Sequence, residues 1–258
     1  MSGTREGWRG WDDYAAFYDW ENAQTVQRRD VAFWQRLAAA ADGPVLELGC
    51  GTGRITVPIA REGTPIVGID RSEPMLLRAA SKLRRAKAAQ HALLMRGDIR
   101  FLPFRRGTFP LVMAPYGILQ SLTREADLAA TLASVARVMP KGGRFGIDLV
   151  PDLVRWEEYS GKKTLSGKMG RHTSISLVES VRQDRARRLT IFDQQYVTVR
   201  HRERRRHTFT LTFRTLSIRQ MSSRLERAGF RVDAVLGDYQ GGPWDARADA
   251  WVILAARR

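Results

Sequence analysis

The sequence has a single cysteine, Cys50, and no long apolar segment. One cysteine excludes an internal disulfide and a zinc site built from several cysteines, and we assign no other metal ligand. No run of about eighteen apolar residues occurs, so no transmembrane helix is predicted. Residues 1–14 are polar and lack the apolar centre of a signal peptide. We therefore expect a cytoplasmic protein without a membrane partner.

Acidic residues are few beside the basic ones. The 27 Asp and Glu stand against 43 Lys and Arg, which gives a formal charge of +16. Such a charge attracts polyanions whatever the fold. The basic residues concentrate at 82–87, 185–188 and 200–206. A nucleic-acid surface and a merely solvated, arginine-rich surface both fit, and we favour the solvated surface because net charge does not report on chemistry.

Short apolar runs alternate with helical patterns between about Pro44 and Leu149. A chain of 258 residues, 43% of them hydrophobic, is able to bury one large core. The predicted strands lie at 44–48, 65–70, 92–95, 111–114 and 144–149, and the clearest helices at 72–85 and 126–138. This alternation predicts an α/β fold with a parallel, doubly wound sheet and right-handed crossovers.

After Asp152 the pattern changes to the period of β-strands. Residues 173–181, 189–199 and 208–214 are rich in β-branched residues and predict an inserted antiparallel meander at about 152–215. A helix and two strands, at 217–229, 230–236 and 251–256, would complete a mostly parallel, seven-stranded sheet. We predict an N-terminal helical lid segment, residues 1–40, followed by one domain, residues 41–258.

The glycine loop after the first strand is the main candidate ligand site. A strand, a glycine loop and a helix place backbone N–H groups at the carboxyl edge of such a sheet. The dinucleotide pattern G-x-G-x-x-G fails here, because Arg54 or Thr56 holds the third glycine position. The phosphate-binding pattern G-x-x-x-x-G-K-S/T is absent. The loop has instead the form E-x-G-x-G-x-G, from Glu47 to Gly53.

These residues resemble those of the class I S-adenosylmethionine-dependent methyltransferases. The matching segments are Val45–Gly53, Gly68–Asp70, Gly97–Asp98 and Pro140–Gly143. The resemblance covers residues 10–150 well and residues 217–257 loosely. It implies a Rossmann-like methyltransferase fold, S-adenosylmethionine as the cofactor and methyl transfer as the activity.

The resemblance also implies roles for individual residues. Asp70 would accept both ribose hydroxyls of the cofactor, and Asp98 would accept the adenine amino group. Glu47 would order the loop or hold the cofactor's ammonium group through water. The other predicted cofactor contacts come from the loop and from residues near the adenine, namely Gly49, Cys50, Gly51, Gly53, Arg71, Met75 and Ile99. Cys50 is a small loop residue in this scheme and not a nucleophile, because the sequence shows no basic partner beside it that would activate the thiol.

Three segments are candidates for the acceptor site. Tyr14 and Tyr18 lie four residues apart on one helix face, and similar enzymes close such a segment over the cofactor. Tyr116 follows the fourth predicted strand after Pro115, but the Asn/Asp-Pro-Pro-Tyr of methyltransferases acting on DNA and RNA bases is incomplete there. We predict that the three tyrosines line the transfer channel. The third segment is the insertion.

Three functions follow from this interpretation. We favour methyl transfer to a nitrogen or oxygen of a small-molecule acceptor by a monomer or homodimer. An RNA-modifying methyltransferase that uses the arginine-rich surface is the alternative. A third possibility is a protein that binds the cofactor without catalysis.

Overall fold

A computed structural model describes residues 11–25, 29–150, 158–201, 203–245, 247–248 and 250–258. The chain divides into two compact units. The larger unit consists of Arg28–Asp152 and Leu216–Arg258, and the smaller unit of Met1–Gln27 and Leu153–Thr215. The sequence analysis did not predict this grouping, in which the start of the chain belongs with the insertion.

Within the described residues, the larger unit holds a seven-stranded sheet. Its strands are β1 (Val45–Leu48), β2 (Ile66–Asp70), β3 (Ala92–Arg96), β4 (Leu111–Ala114), β5 (Arg144–Leu149), β10 (Phe230–Leu236) and β11 (Trp251–Arg257). They are ordered β10-β11-β5-β4-β1-β2-β3, and β11 runs antiparallel to both of its neighbours, β10 and β5. Because β1 pairs with both β2 and β4, the direction of winding reverses at β1, where such sheets bind ligands.

The described residues of this unit include five α-helices. They are α2 (Val31–Ala39), α3 (Thr56–Arg61), α4 (Glu73–Arg85), α5 (Glu125–Val138) and α6 (Ile218–Arg227). The Ser72 hydroxyl accepts a hydrogen bond from Met75 N at the start of α4. Ser217 and Gln220 form a reciprocal capping box at the start of α6.

Apolar side chains on both faces of the sheet form the core of the larger unit. Phe145 on β5 and Phe230 on β10 are fully buried, and their ring centroids lie 5.5 Å apart. Trp34 of α2 is also fully buried and lies close to the Cα of Gly146. The strands therefore consist of near-continuous apolar runs, as expected for a sheet covered on both faces.

The smaller unit contains the helix α1 (Trp11–Thr25) and an antiparallel sheet. In the residues that the structure describes, this sheet has the strands β6 (Tyr159–Lys168), β7 (Thr173–Asp184), β8 (Leu189–Arg200) and β9 (Glu203–Arg214), paired in chain order. The Phe17 ring of α1 stacks on Tyr196 of β8 with a centroid distance of 4.5 Å. An aromatic cluster thus holds the helix on one face of the meander.

The predicted fold class is confirmed, with a mostly parallel seven-stranded sheet and an inserted antiparallel meander. The sequence analysis missed β6, because this edge strand is mostly exposed and its pairing with β7 shifts register twice. The helical pattern of residues 11–40 corresponds to two helices that belong to different units. Among the described residues, no helix is long and apolar enough to cross a membrane. The cytoplasmic location stays a prediction.

The buried aromatic pair predicts where the larger unit is sensitive to substitution. Phe145→Ala should lower the free energy of unfolding by about 3–5 kcal/mol, because it removes a fully buried ring and leaves a cavity. Leu93→Ala on the edge strand β3, where the leucine is 56% exposed, should change it by less than about 0.5 kcal/mol. Urea unfolding followed by circular dichroism measures both values. Equal losses in the two variants would contradict this account of the core.

Candidate functional site

Three glycines with left-handed backbone angles shape the loop after β1. Their φ angles are +64° at Gly49, +52° at Gly51 and +78° at Gly53, which a residue with a Cβ adopts only with strain. A Cβ on Gly49 would lie 2.6 Å from the Ile118 side chain. A Cβ on Gly51 would meet no described atom nearer than the Gly49 carbonyl oxygen at 4.0 Å. The first glycine is thus required by packing, whereas the second leaves open space above the loop.

Asp70 connects this loop to the next one. One carboxylate oxygen of Asp70, at the end of β2, accepts a hydrogen bond from Gly51 N at 2.9 Å. The other accepts one from Ser72 N at 2.8 Å, at the start of α4. The loop is also held by Lys82, whose Nζ donates to the Thr52 hydroxyl at 3.0 Å. The carboxylate predicted to bind a ribose is therefore also the group that fixes the loop.

Glu47 is buried beneath the loop. Its carboxyl group accepts a hydrogen bond from the Thr56 hydroxyl at the start of α3. Burial raises the pKa of Glu47 to about 8, although the Thr56 hydroxyl and the Arg54 guanidinium act in the opposite direction. Of the two predicted roles for Glu47, this geometry supports ordering of the loop. Burial also raises the pKa of the Cys50 thiol, which favours its unreactive protonated form.

Asp98 lies at the centre of an ion cluster after β3. Arg100 Nη2 lies 2.7 Å and Arg71 Nη1 lies 3.4 Å from the same oxygen of Asp98. Burial raises the pKa of Asp98, but the hydrogen bonds from Arg100 outweigh it and the pKa is lowered overall. Arg100 also pairs with Asp127 of α5 at 2.8 Å. An adenine amino group would have to share this carboxylate with two arginines, so the predicted adenine contact stays a prediction.

The remaining residues predicted near the adenine differ in exposure. Arg71 is partly exposed at the sheet edge, whereas Met75 and Ile99 are buried. Arg71 is therefore better placed than Met75 to cover a ligand ring at this edge of the sheet.

The structure places the three predicted tyrosines in both units. Tyr116 lies in the larger unit after β4, where its ring is 40% exposed and lies 5.2 Å from Arg54 Cζ. Tyr14 and Tyr18 lie in the smaller unit on α1, with ring centroids 5.8 Å apart. Tyr14 is buried and donates to Glu21, which also accepts from Tyr196. Packing and hydrogen bonding in this unit account for Tyr14, and its catalytic role stays a prediction.

The sequence analysis missed a group of buried charged residues in the larger unit. Arg54 forms a two-pronged ion pair with Asp30, with N–O distances of 2.6 and 2.8 Å. Asp148 at the end of β5 is buried and accepts a hydrogen bond from the Tyr239 hydroxyl at 2.9 Å. The four-residue spacing of Asp30 and Trp34, whose Nε1 donates to Asp30 at 3.2 Å, was the one local signal available. The other partners are distant in sequence.

Known proteins resemble this chain in sequence and in fold. A family described as a methyltransferase domain matches residues 45–143. A demethylmenaquinone methyltransferase of Lactiplantibacillus plantarum is 36% identical over 108 residues, which are 41% of this chain and 44% of that protein. A cypemycin N-terminal methyltransferase of a Streptomyces species is 25% identical over 246 residues, which are 93% of this chain and 94% of that protein.

Solved structures share the fold over nearly the whole chain. The CcbJ methyltransferase of Streptomyces caelestis superposes with a TM-score of 0.77 at 20% identity, covering 96% of this chain and 98% of that one. At this identity the likeness concerns the fold. It extends to the inserted sheet, because the superposition covers 96% of this chain, whereas the family match ends at residue 143.

The buried carboxyl of Glu47 predicts a pH dependence of stability. Its pKa is about 8 in the folded protein and about 4.3 in an unfolded chain, so between these values the folded state retains a proton that the unfolded state releases. The contribution of this group to the free energy of unfolding is therefore complete below about pH 4 and is lost as the pH rises to about 8. In Glu47→Gln the contribution is absent, so the variant should gain stability relative to the wild type over this range. Urea unfolding at several pH values measures the difference, and a constant difference would contradict the prediction.

Proposed function

We propose that this chain, in which residues 45–143 match a methyltransferase-domain family, is an S-adenosylmethionine-dependent methyltransferase that methylates a nitrogen or oxygen of a small-molecule acceptor. The observation that carries the proposal is the hydrogen bond between Asp70 and Gly51 N, with open space above Gly51. This hydrogen bond brings a carboxylate and a backbone segment without a side chain together, at the strand where the sheet reverses its winding.

The residues around this point fit the cofactor. A carboxylate has about four acceptor positions, and Asp70, which accepts hydrogen bonds from Gly51 N and Ser72 N, would also accept ribose hydroxyls. Gly51 presents backbone without a side chain to the methionyl part. When bound, S-adenosylmethionine supplies a methyl group on a sulfonium, which is activated for displacement. The residues of the chain then have to bind and orient the cofactor and the acceptor and to exclude water. These effects supply much of the rate acceleration.

A nitrogen acceptor has more support than an oxygen acceptor. The relative that spans 93% of the chain is named for methylation of an N-terminus. A hydroxyl acceptor needs a base that removes its proton, whereas a neutral amine attacks without one. The catalytic roles of Tyr14, Tyr18 and Tyr116 and the oligomeric state stay predictions.

The RNA alternative is supported by one feature of the smaller unit. Arg200 at the end of β8 and Arg204, Arg205 and Arg206 at the start of β9 are exposed next to one another. These arginines would contact RNA phosphates and not bases. They therefore support association with RNA rather than methyl transfer to it.

Substitution of Asp70 tests the cofactor site. Asp70→Ala should weaken S-adenosylmethionine binding by about ten-fold or more, because it removes charge-assisted hydrogen bonds to the ribose and to the loop. Glu73→Ala, an exposed acid three residues further on, is the matched control and should stay within about two-fold. Titration calorimetry measures both affinities. Unchanged affinity in Asp70→Ala would make the assignment of the ribose site wrong.

A labelled-methyl transfer screen tests the acceptor class. The protein is incubated with methyl-labelled S-adenosylmethionine and, in parallel, with a metabolite extract and with total RNA. Label should appear in small molecules of the extract, and addition of RNA should not change the rate. Label in RNA, with a yield that falls steeply as salt increases, would favour the alternative. Binding without transfer to either pool would favour the non-catalytic protein.

A further inference from the structure

The turn after β4 has an unusual backbone. Tyr116 and Gly117 both adopt left-handed conformations, with φ angles of +54° and +66°. For a residue with a Cβ this conformation costs about 1–2 kcal/mol. Such strain persists only where surrounding contacts determine the conformation, and it is concentrated at functional sites. The contacts that hold Tyr116 are therefore informative.

Asp148 holds this turn through two hydrogen bonds. Its carboxylate oxygen Oδ2 accepts from Tyr116 N at 3.2 Å, and its carbonyl oxygen accepts from Gly117 N at 3.0 Å. Gln120 closes the other side of the turn, where its side chain exchanges hydrogen bonds with the backbone of Val150. Both amides of the strained pair are thus directed at one residue on the neighbouring strand.

The Asp148 carboxyl is itself fixed in a buried position. It is 4% exposed, and its Oδ2 also accepts from the Tyr239 hydroxyl at 2.9 Å. Tyr239 is anchored by Arg36, whose Nη2 donates to its carbonyl oxygen at 2.8 Å, and by Phe33, with a ring-centroid distance of 5.9 Å. Burying a carboxyl is costly unless hydrogen bonds compensate, so a packing role alone would be served better by an apolar side chain.

The Tyr116 ring lies beside Arg54. The ring centroid lies 5.2 Å from Arg54 Cζ, and Tyr116 as a whole is 40% exposed. Arg54 directly follows Gly53 of the glycine loop and is held by Asp30 at 2.6 Å. The ring is therefore next to the side chain of the residue that follows the glycine loop.

We propose that Asp148, supported by Tyr239, is the positioning residue that fixes Tyr116 at the acceptor side of the site. This inference rests on the proposed methyl-transfer function, because that function defines which side of the site receives the acceptor. Asp148 acts through the Tyr116–Gly117 turn and is not assigned contact with either substrate. The Asp148 carboxyl accepts hydrogen bonds from Tyr116 N and from the Tyr239 hydroxyl. The charged groups Asp30 and Arg54 also act on it.

Hydrogen exchange tests the anchor without requiring an acceptor. In Asp148→Leu, which removes the accepting oxygen at similar size, exchange in residues 115–121 should be about ten-fold faster, while residues 47–53 stay within about two-fold. Asp148→Asn retains an acceptor oxygen and should restore most of the protection. Asp233→Leu, at an exposed acid on β10, is the matched control. Unchanged exchange at 115–121 in a folded Asp148→Leu would overturn the anchor.

Tyr239→Phe keeps the test valid if Asp148→Leu does not fold. It removes a single hydroxyl and leaves the bond from Tyr116 N, so a smaller acceleration of about three-fold is expected in the same peptide. No acceleration in this variant would overturn the supporting role of Tyr239.

A double-mutant cycle tests the functional part, on the acceptor that the labelled-methyl screen identifies. Asp148→Leu alone should raise the acceptor KM or lower kcat about ten-fold, with S-adenosylmethionine affinity unchanged by calorimetry. In a Tyr116→Ala background the same substitution should have almost no further effect, because the group it positions is gone. Additive effects, or a parallel loss of cofactor affinity, would show a general structural role and overturn the proposal. If no acceptor is methylated the proposed function fails, whereas the exchange result still stands.

Discussion

The carboxylate of Asp70 accepts one hydrogen bond from the glycine loop and another from the start of α4. The first bond joins the ends of the adjacent parallel strands β1 and β2, and the second fixes the start of α4. The left-handed backbone angles of the glycines allow the loop to approach Asp70. Open space remains above Gly51. In the proposed function, cofactor binding and loop order would be coupled through this single side chain.

Buried carboxyl groups recur around this point in the larger unit. Glu47 lies beneath the loop, Asp30 holds Arg54, and Asp148 holds the turn that carries Tyr116. Each is compensated by hydrogen bonds or an arginine, as burial of charge requires. Burial raises the pKa values of Glu47 and Asp148 to about 8 and about 7, so both groups titrate near neutral pH. The precision of the site thus depends on charged groups that reduce the stability of the fold at higher pH.

Most of the fold could be predicted from the sequence, because its signals are local. Apolar runs, the capping Ser72 before α4 and the glycine pattern each report on neighbouring residues. The edge strand β6 carried no such signal, since exposed edge residues show little hydrophobic alternation. The separation of α1 from α2 was also not predicted, because helical periodicity does not show which sheet a helix covers.

The site was predictable to the extent that its residues belong to contiguous motifs. Asp70 lies where the sequence analysis placed it, at the end of β2 beside the loop. Asp148 and Tyr239 are 91 residues apart, and only the folded sheet brings them together. Arg100 pairs with the predicted adenine contact Asp98 and is close to it in sequence. The orientation of the Arg100 side chain, however, depends on its hydrogen bond to Asp127 of α5.

Titration of the wild-type protein with S-adenosylmethionine, and separately with NAD and ATP, tests the central claim most directly. The account predicts saturable binding of S-adenosylmethionine with one molecule per chain, and no binding of the dinucleotide or the triphosphate. Binding of NAD or ATP without binding of S-adenosylmethionine would contradict it.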